Sequence, residues 1–195
     1  MRVLVACETS GETRRAMVAA GADAYSVDVL PADDGDTARH IVGDASPLLR
    51  EPWDMVIAHP PCTRLCNSGV RWLHERNLWD DMRDAAAFFR DCLDANAPKI
   101  AVENPVMHKH ARALIGRGPN FTVQPWQFGD NFKKRTCFWT VGLAPLKPTS
   151  LLDGGTAVAE VHRAPPGPNR WKARSKTYPG LASAMAAQWF TKGRP

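Results

Sequence analysis

Cys62 follows two consecutive prolines, Pro60 and Pro61, at the end of the apolar run 54–58. Prolines fix backbone angles and remove donors, so the side chain that follows is held in one place. A thiol presented in this way can act as a nucleophile. The plainer reading is a small structural cysteine in a loop after a strand. Glu103, with Asn104 and Pro105 behind it, ends a second apolar run, 99–102. A carboxylate at the mouth of a buried strand can reach the same crevice, and burial there favours its neutral form. Such a pair offers a nucleophile and a proton donor.

Two further clusters invite chemistry. His59, Cys62 and Cys66 can be drawn as three metal ligands, but no second Cys/His pair lies at zinc-finger spacing, so no metal is expected. Arg163, Arg170, Trp171, Lys172, Arg174, Lys176 and Tyr178 interleave cations with aromatics. That pattern suits phosphate gripping and base stacking; a solvated loop anchored by its aromatics is the alternative. His108 and His110 read as surface residues of a polar turn, and Trp72 and Trp79 as core.

The elements that must position these groups follow from periodicity. Strands are predicted at 2–7, 24–29, 40–42, 54–58 and 99–102, and helices at 12–20, stopped by Gly21, and 78–93. Residues 121–126 and 136–141 read as a final hairpin, 144–179 as an irregular Pro/Gly-rich segment, and 181–190 as a closing helix. Strands alternating with helices imply an α/β fold with a doubly wound, mostly parallel sheet and a terminal β-hairpin. In such folds ligands bind beyond the carboxyl ends of the strands, where each polar motif falls. The predicted organisation is a core over 1–143, a basic loop over 144–180, and a closing helix and tail over 181–195.

Together these motifs resemble the cytosine carbon-5 DNA methyltransferase family, in order along nearly the whole chain. Pro61 and Cys62 resemble its Pro-Cys nucleophile motif, with Gly69 closing the loop. Glu103, Asn104 and Pro105 are similar to its Glu-Asn-Val motif, and Lys133 to Arg135 to its Gln-x-Arg-x-Arg motif. The turn Glu8, Thr9, Ser10 and Gly11 occupies the place of the glycine-rich cofactor loop, with Gly11 retained and Thr9 where a glycine is usual. The resemblance implies a Rossmann-like fold and S-adenosylmethionine as cofactor, held by that turn with Asp28, Asp44 and Pro60. It further implies a covalent Cys62 adduct with Glu103, Lys134 and Arg135 acting on the base. Asn104, Arg163, Arg170, Trp171, Lys172 and Arg174 would contact double-stranded DNA, the base leaving the stack to reach the thiol. With so little chain for target recognition, a short or degenerate site is expected. RNA or a free nucleotide as substrate, and a non-catalytic nucleic-acid binder on the same fold, stay open.

Bulk composition agrees with this reading. In 195 residues, 44% hydrophobic and 23% charged composition is that of a globular protein, which excludes a disordered chain. No run approaches a membrane span. The start has no signal-peptide core, which predicts a cytoplasmic location, and five irregularly spaced cysteines predict reduced thiols. From Val161 to Pro195 there are seven Lys/Arg and no Asp or Glu, against a net charge of +5 for the chain. A near-neutral body with a basic end suits a polyanionic partner.

Overall fold

Successive residues of a strand face opposite sides of its sheet, and in β1 (Arg2–Ala6) both sides are apolar. Val3 and Val5 enter one core with Met17, Leu181, Met185 and Trp189. Leu4 and Ala6 enter another with Met82, Ala86, Phe89 and Ile115. A strand buried on both faces needs helices above and below it. The computed structural model describes residues 1–159 and 175–190 and has that three-layer arrangement.

In chain order the other elements are α1 (Glu12–Ala20), β2 (Asp23–Asp28), β3 (His40–Val42), β4 (Met55–Ala58), α2 (Val70–Glu75) and α3 (Trp79–Leu93). They are followed by β5 (Ile100–Asn104), α4 (Lys109–Ile115), β6 (Phe121–Val123), β7 (Thr136–Val141) and α5 (Pro179–Trp189). The sheet order is β3-β2-β1-β4-β5-β7-β6. Pairings from β3 to β5 are parallel, and β7 runs antiparallel to both β5 and β6. The chain leaves β1 towards β2 and later returns to β4 on its other side, so a switch point opens between β1 and β4. Helices α1 and α5 cover one face, α3 and α4 the other.

Most boundaries agree with expectation, and the departures have physical causes. The first strand stops at Ala6 because Cys7 turns to φ 60, a left-handed value uncommon outside glycine. Strand β5 runs on through Glu103 and Asn104 because they pair with Phe138 and Cys137 of β7. The 121–126 strand ends at Val123: Pro125 cannot donate to a ladder, and a 3-10 turn follows over Pro125–Gln127. Helices α2 and α4 are additional. His108 is not a surface residue, since it is buried, caps α4 by accepting the Ala111 N–H at 3.1 Å, and bonds the Arg64 carbonyl at 2.9 Å. Trp72 is only half-buried, with the guanidiniums of Arg71 and Arg76 each 4.2 Å from its ring.

The described part of the irregular segment is tied to α5: the Trp189 indole donates to the Ala144 carbonyl at 3.0 Å, and Gln188 bonds both backbone groups of Lys147. Among the described residues no helix is long and apolar enough to cross a membrane. Arg163, Arg170, Trp171, Lys172 and Arg174 lie outside the described residues.

Candidate active site

Register brings the chemistry together. Ala58 of β4 pairs with Val102 of β5, so the next residue on each strand, His59 and Glu103, lie side by side where the strands end. His59 Nδ1 is 3.2 Å from Glu103 Oε2, and His59 Nε2 is 3.4 Å from the buried Thr13 hydroxyl. Sequence reasoning weighed His59 only as a metal ligand. Its place beside Glu103 becomes visible once β4 and β5 are known to be parallel neighbours.

Glu103 is 8% exposed, and its Oε1 has no hydrogen-bond partner among the described residues. The expected neutral form is not what this setting favours. Burial alone raises the carboxyl, but the Lys134 ammonium and the His59 hydrogen bond outweigh it and hold Glu103 below the usual carboxylate range. Lys134 and Arg135 part ways here: Lys134 is buried at the site, whereas Arg135 is exposed. Lys134 Nζ donates to the carbonyls of Lys176 at 3.1 Å and Ser175 at 3.4 Å, drawing that segment across the pocket. Glu103, Lys134, Thr136, Thr177 and Tyr178 enclose about 10 Å³, space for about one water.

The thiol comes from the turn after β4. Leu65 and Cys66 donate backbone N–H groups to the Cys62 carbonyl at 3.0 and 2.9 Å, curling the loop tightly behind it. Gly69 lies against the Thr63 carbonyl with no room for a Cβ. Cys62 is half-buried and Cys66 buried. The two thiols share a hydrogen bond that lowers Cys66, aided by Ser68 Oγ at 3.1 Å and the N–H groups of Ser68 and Gly69. The same bond, with burial, pushes the Cys62 thiol up.

Asn104 is 1% exposed and its amide nitrogen donates to the Pro60 carbonyl at 3.1 Å, which ties it to the Pro-Pro turn. Pro60 itself is buried.

Across the β1–β4 switch point lie the residues expected at a cofactor. Both Glu8 oxygens accept N–H groups at the start of α1, from Thr13 at 2.6 Å and Arg14 at 3.2 Å. Glu8 thus holds the turn in shape. Thr9 bonds Asp33 at 3.3 Å, Ser10 Oγ accepts the Glu12 N–H at 3.4 Å, and Gly11 adopts φ 67. A side chain at Gly11 would collide with Asp34, Arg14 and Arg15. Asp28 ends β2 and Asp44 lies two residues past the end of β3, with the Gly43 N–H before it donating to the Asp28 carbonyl at 2.8 Å. Burial, with both carboxylates adding to it, pushes the Cys7 thiol up to about 12. Val29 and Leu30, 71% and 41% exposed, extend an apolar edge beside Asp28. Acceptors for hydroxyl or amino groups beside exposed apolar side chains suit a nucleoside. Among the described residues no three His, Cys, Asp or Glu side chains converge as metal ligands do.

No protein-family model matches the chain, and no curated protein matches it. Solved structures do. One, named as a DNA modification methyltransferase encoded within an E. coli prophage, is 16% identical with a TM-score of 0.49, the match covering 78% of this chain and 52% of that one. Another, the Entamoeba histolytica methyltransferase EhMeth, is 13% identical with a TM-score of 0.50, covering 78% of this chain and 57% of that one. The chain therefore matches little more than half the length of these structures. At such identities likeness speaks for fold alone. Together with the strand order and the crevice between β1 and β4, the second match gives the chain a Rossmann-like methyltransferase fold.

Proposed function

We propose that the protein methylates carbon 5 of cytosine in DNA, using S-adenosylmethionine, through a covalent adduct with Cys62. The observation that carries this reading is Cys62 on the loop after β4 and Glu103 near the end of the neighbouring parallel strand β5, with Lys134 buried beside the carboxylate.

Asp28 and Asp44, the turn Thr9 to Gly11 and the edge of Val29 and Leu30 would hold the cofactor, which supplies an electrophilic methyl group when bound. Carbon 5 of cytosine is a poor nucleophile until a thiolate adds at carbon 6. Cys62 gives up its proton along the hydrogen bond to Cys66, and its sulfur bonds carbon 6. Electron density then moves to carbon 5 and ring nitrogen 3. Glu103 Oε1, unpartnered among the described residues, would face the base edge, and His59, 3.2 Å from Oε2, would pass a proton to the carboxylate. Lys134 stabilises negative charge developing at the carbonyl oxygen on carbon 2. Once carbon 5 is methylated, a water admitted to the site would take its proton as the carbon–sulfur bond breaks, and the expelled Cys62 thiolate recovers from Cys66 the proton it gave up. Arg163, Arg170, Trp171, Lys172 and Arg174 are proposed to grip DNA phosphates, for which a basic segment without carboxylates is suited.

Incubating the protein with methyl-labelled cofactor and duplex DNA, RNA or deoxycytidine nucleotides is the direct test. Label in DNA, at cytosines that resist bisulfite conversion, is the expected result. Label in RNA or free nucleotide alone would move the substrate, and none in any acceptor would end the proposal.

A further inference from the structure

A second concavity, about 450 Å³, abuts the loop that carries the nucleophile. Its wall begins directly after Cys66: the Asn67 N–H bonds the Val106 carbonyl at 3.1 Å, and Cys66 forms a bridge with Met107. Helix α2 bounds it through Val70, and α4 through Lys109 and Arg112. The two helices meet through aromatic rings, His74 and His110 lying 5.9 Å apart with Trp79 against both.

The charge on this face is unbalanced. Arg14, Arg15, Arg39, Arg64 and Arg83 each meet a carboxylate elsewhere on the fold. Lys109 and Arg112, which line the groove from α4, are exposed, as are Arg71 on α2 and Arg76 just after it, and none of the four forms an ion pair among the described residues. Glu75 is the one carboxylate on either helix. The surplus is felt locally: after desolvation, the charges of Lys109, His108 and His74 hold His110 below the ordinary imidazole range. Trp72 orders Arg71 and Arg76 against its ring, which lowers the entropy lost when a guanidinium meets a phosphate.

We propose that this groove between α2 and α4 binds the phosphate backbone of the DNA strand whose cytosine enters the Cys62 site. The proposal rests on the function argued above and adds to it a binding surface separate from the basic segment near the C-terminus. The groove is concave, uncompensated in charge and in direct backbone contact with the nucleophile loop. Phosphates held there would fix the strand beside the place to which its base must swing. Arg and Lys at such positions set register and carry no sequence information.

The test uses the full chain with Lys109→Gln and Arg112→Gln together, and independently Arg71→Gln with Arg76→Gln. Binding to a fluorescein-labelled duplex is followed by anisotropy between about 50 and 200 mM salt. Each pair should weaken binding roughly tenfold and reduce the slope of log affinity against log salt by up to about 1.8, two phosphate contacts at about 0.9 each. Thermal unfolding and cofactor affinity should be unchanged, because all four side chains are exposed and far in the fold from Asp28. Affinity and slope equal to wild type in both pairs would overturn the groove. So would a loss confined to an RNA duplex or hairpin with DNA binding intact. If wild type methylates cytosine in DNA while both pairs bind normally, the groove falls and the function stands. If the pairs lose DNA binding but wild type transfers no methyl group to cytosine, the reverse holds.

Discussion

Replacing Cys62 with alanine is expected to lower methyl transfer by on the order of 10⁴-fold or more, because no other group can form the bond to carbon 6. Fold and cofactor affinity should persist. The loop is curled by backbone bonds to the Cys62 carbonyl, which alanine retains, and Asn104 holds Pro60 independently. The same assignment can be read covalently. DNA carrying 5-fluorocytosine leaves no proton to lose at carbon 5, so the adduct should accumulate, and peptide mapping should place it on Cys62. The neighbouring thiol makes this a demanding test. Cys66 shares a hydrogen bond with Cys62 and is the better seat for negative charge, yet it is buried under the loop. An adduct on Cys66, or near-normal turnover by Cys62→Ala, would mean that the wrong sulfur has been named.

Glu103→Gln should reduce kcat by about 10²- to 10⁴-fold, the usual range for an acid–base group, with little change in cofactor affinity. Glutamine keeps the shape and can still meet His59, but it can neither carry the charge opposite Lys134 nor relay a proton. Asp28→Ala should show the opposite split, weakening cofactor binding first. Equal cofactor defects in the two variants would dissolve the division of labour. The pH dependence gives a second readout. Since Lys134 and His59 depress the folded-state pKa of Glu103, its ionised form adds stability above the ordinary carboxylate range, and that contribution is lost as pH falls through the folded value. The gap in melting temperature between wild type and Glu103→Gln should therefore narrow as pH drops from about 6 towards about 3. A gap that widened would show that burial, not the neighbouring charges, governs this carboxyl.

The parallel strands were legible in the sequence because strands covered on both faces appear as unbroken apolar runs. Helix α1 was equally plain, its end marked by Gly21, which adopts φ 99 and donates to Met17 and Val18. Helices α2 and α4 were not, for six and seven residues carry less than two turns of periodicity. His108 misled for a related reason: its polarity serves a buried cap and a carbonyl 44 residues away. The site divides in the same way. Proline-proline-cysteine and the strand-ending glutamate are local patterns and could be read directly. The ionisation of Glu103 depends on Lys134, which reaches it only through the β5–β7 pairing, and the partnership of His59 depends on register. Cys7 is the subtlest case. The backbone takes a left-handed step at this residue, on a residue type that does not announce it.

Thr13 carries one more implication. Its N–H is fixed by Glu8 at the edge of the proposed cofactor turn, and its hydroxyl lies 3.4 Å from the imidazole that touches Glu103. A single buried residue of α1 thus links the turn proposed to hold the cofactor with the His59–Glu103 pair. Two ligands bound on either side of such a link keep a reciprocal relation: whatever factor a seated cytosine adds to the hold on the cofactor, the cofactor must add to the hold on the cytosine. Coupling of this kind commonly amounts to about 1–3 kcal/mol. Over that range, a protein loaded with cofactor would engage its target about 5- to 150-fold more tightly than an empty one, favouring encounters in which the methyl donor is already in place.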